Sequence, residues 1–427
     1  MLRSLGTEWN CICDAATLMP MVAIAVRLAL TLAVAWTQFR LGPQNNAVVS
    51  GTLDASWRLE TGGQISSSPT VGDGTIYIGN NDGALYAIDA ASGRVLWTAH
   101  VPNPLMSAPL IYNDLVIVGE GDPTSRSSSP SEPMVIGQGP SALLGFNRFS
   151  GNMRWQTPLS GSAMPTPAII DGILVNHDGA GWVNGVDPAT GEKRYQHWLG
   201  SMSSMSSALP IGNGDFVTMG VGSNAAWRVH ADGGSIVWRS AFLRGASGVG
   251  DCPPVSDGRR IFCDYVAPVL PDKFTVIGDL TIERVYALDA TNGGSVWDVA
   301  LEAGMLGIRN EAAIPLIGGG KLYLGSALTP WMHALDPATG MLQWETAVRG
   351  VVKGGIVDVD DVLYFGDYAG YLWALDAKTG RVIGDKQMHT AFNVGSPIAV
   401  GRTLIIGSDT GAVIAVPLQA IRNAHDL

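Results

Sequence analysis

The chain has 427 residues, among them 54 Gly and 24 Pro, with 46% hydrophobic content and a formal net charge of −11. A sequence-independent grip on nucleic acid needs clustered Lys and Arg; no basic run occurs, so nucleic acid is excluded as a partner. Length alone would suggest two or three domains, but one repeat runs unbroken through the sequence.

The first element is a leader. Leu28 to Ala35 is a short apolar core behind Arg27, and Ala33-Val34-Ala35 is a small-x-small cleavage pattern. Residues 1–35 are read as an export signal cut before Trp36, which leaves residues 36–427 as an extracytoplasmic protein, periplasmic or secreted. The alternatives are translation from Met19 or Met21, or an uncleaved anchor. The anchor is the only route to a membrane, and Arg27 inside it would cost roughly 2.5–3.5 kcal/mol. No lipobox precedes Cys11 or Cys13.

Seven times an Asp-like residue is followed four positions on by Gly and then, four further, usually by Trp. The series is Asp89…Gly93…Trp97, Asn147…Gly151…Trp155, Asp187…Gly191…Tyr195, His230…Gly234…Trp238, Asp289…Gly293…Trp297, Asp336…Gly340…Trp344 and Asp376…Gly380…Gly384. A fixed period near 40 residues marks a propeller or array. Within the first repeat, Ser68–Val71, Thr75–Ile78, Ala84–Ile88 and Val95–Trp97 alternate like strands, with Gly-, Asn- and Asp-rich turns between them. One repeat is therefore four antiparallel strands, A to D, from the inside of a blade to its rim. The recurring Trp is expected to fill the gap between neighbouring blades.

Eight strand-A starts lie near Pro69, Pro109, Pro167, Leu209, Pro254, Pro315, Ile356 and Pro397, against seven outer turns. The last unit stops at Pro417, and Ser56-Trp57-Arg58-Leu59-Glu60 precedes the first. The expected fold is all-β: a single eight-bladed β-propeller of four-stranded antiparallel blades, its ring closed by the N-terminal strand. Closure removes the open sheet edge, and a monomer is expected.

The 40-residue step from Trp155 to Tyr195 lengthens to 58 between Trp97 and Trp155 and to 59 between Trp238 and Trp297. The added residues, Glu120–Pro140 and Asp264–Glu283, are expected as long B–C loops overhanging the channel mouth, as lids or as plain decoration. Cys252 and Cys263 flank the Ser256–Arg259 turn of blade five, and a cross-strand disulfide between them fits an exported protein; two buried thiols are the other reading.

Segments entering strand A crowd the mouth of the channel. In blades one to four they carry Ser66, Ser67, Met106, Ser107, Met164, Met205 and Ser206; in blades five to eight they carry Asp251, Arg309-Asn310-Glu311, Lys353 and Asn393. A few polar groups converging among apolar ones is the make-up of a small-molecule pocket, so Asp251, Arg309, Asn310, Glu311, Lys353 and Asn393 are the candidate ligand-binding residues. The competing reading is a salt-bridge network that plugs the channel. No His, Cys, Gly-x-Ser-x-Gly or Walker pattern assigns a metal or a catalytic group.

The run Pro69-x-Val71…Ile76-Tyr77-Ile78-Gly79…Asp82-Gly83-x-Leu85-Tyr86-Ala87-Ile88-Asp89…Gly93…Trp97 resembles the pyrroloquinoline quinone (PQQ) repeat. That family includes quinoprotein dehydrogenases and the propeller subunit of the outer-membrane assembly machine. The resemblance spans residues 50–417, and Trp36–Arg40 is similar to the segment that opens mature members. It implies a propeller scaffold that binds a small molecule or a protein at its channel mouth, or a dehydrogenase of alcohols or sugars using PQQ and calcium. In the second case the resemblance implies calcium held by a carboxylate and an amide, and an Asp base. By location alone, Glu311 and Asn310 are the candidate calcium ligands, Asp251 the base, and Arg309 or Lys353 the groups against the quinone oxygens, since no catalytic motif of the family aligns residue by residue. The chain departs from that pattern: it has no adjacent Cys pair, no Cys-x-x-Cys-His haem site and no large insertions. A hydrolase-like use of the channel, with Glu311 and Asp251 as a carboxylate pair, is the third reading.

Overall fold

The computed structural model describes residues 36–126, 135–137, 139–242, 248–269, 278–307 and 312–425. The leader, residues 1–35, lies outside them. Each repeat folds into four antiparallel strands, and eight blades follow one another. In blade one, strand A is Thr70–Gly72, B is Thr75–Gly79, C is Ala84–Asp89 and D is Val95–His100. The eight A strands begin at Thr70, Leu110, Ala168, Leu209, Val255, Leu316, Val357 and Ile398. Blade eight takes its fourth strand from the N-terminus: Trp57–Glu60 lies antiparallel to Ala412–Pro417, with Trp57 opposite Ala415 and Glu60 opposite Ala412. The fold is an eight-bladed β-propeller.

The repeat motif is a lock between blades. The ring of Trp57 lies over Gly93, Trp97 over Gly151, Trp155 over Gly191, Tyr195 over Gly234, Trp238 over Gly293, Trp297 over Gly340 and Trp344 over Gly380. Each aromatic ring on one outer strand thus covers the turn glycine of the next blade, where a Cβ would collide with it. Five of the indoles also donate to the carbonyl just after the turn's first residue: Trp57 to Ala90 at 2.9 Å, Trp97 to Arg148 at 2.9 Å, and Trp238, Trp297 and Trp344 to Ala290, Pro337 and Ala377 at 3.1 Å each. Blade eight has no such turn, and blade seven accordingly has Gly384 where Trp is expected. There the C-terminal helix Leu418–Arg422 takes the space, with the carbonyls of Ile421 and Arg422 against Gly384.

Residues 36–49 form a strap along the innermost strands. Backbone N–H groups of Ile111, Ile169, Ser256, Ile317 and Ala399 donate to the carbonyls of Trp36, Thr37, Pro43, Gln44 and Ala47 at 2.7–3.1 Å. Asn46 Oδ1 accepts from Asp358 N at 3.0 Å, and Val48–Val49 pairs parallel to Ile398–Val400. Strand A is the inner edge of every blade, with an N–H row that must find a partner. The strap supplies one in blades two, three, five, six, seven and eight.

Two expectations change in blade five. Much of Asp264–Glu283 is strand rather than loop, because strands B and C extend over Arg260–Pro268 and Leu280–Asp289. Residues 270–277 of this insertion, and residues 127–134 and 138 of the blade-two insertion, lie outside the described residues. Cys252 and Cys263 are not bridged; both are buried free thiols. The ladder pairs Val255 with Phe262 and Ser256 with Ile261, so its continuation sets the two cysteines off register, although their side chains stay in contact. Cys252 Sγ instead accepts from Asp264 N at 3.2 Å, and the Cys263 thiol donates to Asp264 O at 3.2 Å.

Candidate functional site in the central channel

A small cavity of about 20 Å³, little more than the room one water needs, lies where the segments entering strand A converge. Its lining recurs with the blades: Ser66 and Ser68, Met106 and Ala108, Met164 and Thr166, Met205 and Ser207, Asp251 and Pro253, Ala312 and Ile314, then Val394, with Phe39 of the strap. The pairs are two residues apart because the entering segments are extended, and alternate side chains of an extended chain point the same way. The residues between them turn aside: Ser67 Oγ donates to Ser107 O at 2.8 Å, and Ser107 Oγ accepts from Gly119 N at 2.7 Å.

The same alternation sorts the candidate residues. Asp251 lines the cavity. It rides on a turn whose N–H donates to Gly248 O at 2.9 Å, and the neighbouring Gly250 carbonyl accepts from Ser204, Met205 and Ser206 of blade four at 2.9–3.0 Å. That carbonyl ties the Met205 loop to the Asp251 loop. Asn393 falls one position off, beside the lining Val394, and its Nδ2 donates to Asp409 Oδ2 at 3.3 Å. Lys353 is half-buried and outside the lining; its carbonyl accepts from Ile314 N at 3.2 Å. Arg309, Asn310 and Glu311 lie outside the described residues.

Behind the wall that carries Asp251 and Ala312 lies a fully buried carboxyl pair, Asp264 and Glu283. Asp264 Oδ2 accepts from Ala313 N at 2.7 Å; Glu283 accepts from Ala327 N at 2.7 Å and from the Ser326 hydroxyl. Burial raises the pKa of both, and each carboxyl near the other pushes Asp264 up further. Asp264 Oδ1 has no other partner, as expected where two carboxyls share a proton. In blade three His177 is buried, with Nδ1 2.9 Å from Thr218 Oγ1 of blade four and Nε2 2.7 Å from Ser201 O. A carbonyl can only accept, so Nε2 carries the proton, and burial lowers the imidazole pKa to about 4.

PQQ is a flat tricarboxylate. Among the described residues the cavity lining offers no Lys or Arg, one aromatic ring and one carboxylate. This lining does not fit that group, and no step is derived through it. The sequence reading missed Phe39 and Arg40, which belong to no repeat. It also missed the second residue of each lining pair, which the period of two would have revealed.

Repeated Asp–Gly–Trp blades, closed by the N-terminal strand around a mouth cavity, define a PQQ-repeat propeller. The chain belongs to the family described as outer membrane protein assembly factor BamB, whose model matches residues 47–129, 123–262 and 282–420. It is 25% identical over 371 residues to a tetrathionate hydrolase of Acidithiobacillus ferrooxidans, covering 83% of this chain and 72% of that one. BamB from Moraxella catarrhalis superposes with a TM-score of 0.63 at 14% identity, covering 85% of this chain and 99% of that one. A quinohemoprotein alcohol dehydrogenase from Pseudomonas putida HK5 also gives 0.63, at 12% identity, covering 92% of this chain and 81% of that one. These two share the fold. No helix among the described residues is long and apolar enough to cross a membrane.

Proposed function

We propose that this exported propeller opens its mouth cavity to a small sulfur-rich anion of the tetrathionate type and hydrolyses it, with Asp251 as the acid–base group; the flexible thioether side chains around the space of about 20 Å³ turn aside to admit it. The observation that carries the reading is the lining itself: three thioethers, Met106, Met164 and Met205, beside Ser and Thr hydroxyls and one carboxyl. Thioethers are polarisable and make favourable soft contacts, which suits a chain of sulfur atoms; hydroxyls donate to the terminal oxygens. The likeness to a tetrathionate hydrolase supports the same substrate class. A dianion sits poorly beside an ionised acid, so the reaction belongs to acidic conditions, with Asp251 protonated. Water oxygen bonds to one sulfur as the sulfur–sulfur bond breaks. The departing sulfur group takes the electron pair and the Asp251 proton, and the attacking water returns a proton to Asp251.

The test is release of thiosulfate from tetrathionate by the purified chain, in acid. Wild type is expected to turn over, and Asp251→Asn to lose about 10²–10⁴-fold, the usual worth of a general acid, while still binding substrate by calorimetry. Absence of both binding and turnover in wild type would remove the reading. Addition of PQQ and Ca²⁺ with an alcohol and a dye acceptor is the control arm, with no dye reduction expected. Protein sequencing of the exported product checks cleavage before Trp36.

A second reading, a protein-docking scaffold, is favoured by the half-exposed Trp198 (52%) over a surface hollow of about 310 Å³ that includes Met202 and Val221. It would be preferred if Trp198→Ser abolished an interaction that Asp251→Asn left intact.

A further inference from the structure

We propose that Glu302, His333 and Glu345 form a binding site for a divalent first-row cation in the cleft between blades five and six, remote from the cavity lining. The ligand atoms of the three side chains all lie within 4.8 Å of one another. His333 and Glu345 stand directly opposite on strands C and D of blade six, so the ladder holds them side by side. Glu302 reaches across from strand D of blade five and contacts His333 Nε2 through Oε1. Its other oxygen accepts from the Thr329 hydroxyl at 3.2 Å, which fixes the carboxylate plane. Second-shell bonds of this kind orient metal ligands.

Two further observations favour a cation here. Among the described residues neither Glu302 nor Glu345 is paired with Lys or Arg, and the single base in contact is His333. Glu283, fully buried, adds a third carboxyl close by: it accepts from Ser326, whose hydroxyl lies 3.0 Å from the Thr329 hydroxyl that holds Glu302. The His333 ring, 1% exposed, also leaves Nδ1 without any hydrogen-bond partner. A buried imidazole with one unused nitrogen, whose other nitrogen faces carboxylates that outnumber it, is poorly satisfied by protein groups alone. One imidazole with two carboxylates is a nitrogen–oxygen set suited to Zn²⁺, Mn²⁺ or Fe²⁺, and three protein ligands leave positions open to water. An ion held there would replace the Glu302–His333 hydrogen bond and staple the outer strand of blade five to blade six.

The experiment titrates the chelator-stripped full chain with Zn²⁺ by calorimetry and with Co²⁺ by visible absorption. Expected are uptake of one equivalent, visible bands of a cobalt bound below six-coordination, and a higher melting temperature with zinc. Glu345→Gln, at an exposed edge, and Glu302→Gln should each weaken binding about tenfold or more, with circular dichroism unchanged. Ligand protonation competes with the metal, so uptake should fall in acid. No stoichiometric uptake would overturn the proposal. So would uptake that both variants leave unchanged, since the ion would then lie elsewhere on the surface. Thiosulfate release is not among the readouts, so this result stands or falls apart from the hydrolase reading.

Discussion

Arg40 shows what one residue does when it leaves the surface. It is 1% exposed in a left-handed turn, φ 52°. Its Nε donates to Asn45 O at 2.9 Å, Nη1 to Pro397 O at 2.8 Å and Nη2 to Ile356 O. Burial pulls its pKa down to about 9. The guanidinium pins the strap to the entrances of blades seven and eight, so replacing it strands three carbonyls at once. Arg40→Met is expected to lower unfolding stability by about 3 kcal/mol in urea titration, since each unsatisfied buried group costs about 1–3 kcal/mol and partial rearrangement offsets some of it. Arg40→Lys should recover little, because an ammonium cannot span the same fork.

At the scale of the element, the Asp–Gly–Trp motif is a joint rather than a blade feature. The Gly is in one blade, the Trp covering it in the previous one. Gly93 has φ 73°, and a Cβ there would lie 2.7 Å from the Trp57 ring. Gly93→Ala therefore meets both backbone strain and a clash across the seam that closes the ring. A loss of about 1–3 kcal/mol is expected by thermal melting. Trp57→Ala should relieve the clash, so the double variant is expected to lose less than the sum of the two; strict additivity would show that the contact does not exist. The motif's failure at Gly384 was legible as an anomaly in the sequence. Its reason was not, because the helix that fills the space lies 34 residues further on, at Leu418.

For the molecule as a whole, buried ionisable groups set opposing limits on stability with pH. Burial, with the neighbouring Asp361 adding to it, raises Asp358 to about 6, and Asp264 and Glu283 move the same way. A carboxyl whose folded pKa is raised contributes stability below its unfolded pKa, and loses it as pH rises through the folded value. His177 works oppositely. Its pKa falls from 6.5 to about 4, so its contribution is complete above 6.5 and is lost as pH drops through about 4. Maximal stability is expected in mild acid. Urea midpoints measured across pH should fall on both sides, with Glu283→Gln flattening the alkaline limb and His177→Asn the acid one. An unchanged alkaline limb in Glu283→Gln would show that the carboxyl pair does not hold its proton in the folded state.

The period, the blade number and the closing strand were set by sequence alone, because each follows from spacing: turn residues and alternating apolar runs are local, and eight A strands against seven outer turns leave one strand to be borrowed. Asp251 was legible for the same reason, by its offset before strand A. The tertiary structure decided what spacing cannot carry. Phe39 reaches the channel, and Arg40 the entrances of blades seven and eight, only because the ring brings six inner edges round one strap. Glu302, His333 and Glu345 meet only because two wedges are pressed together. Contacts across a gap between blades depend on the angle at which the blades pack, and no periodicity within a single repeat records that angle.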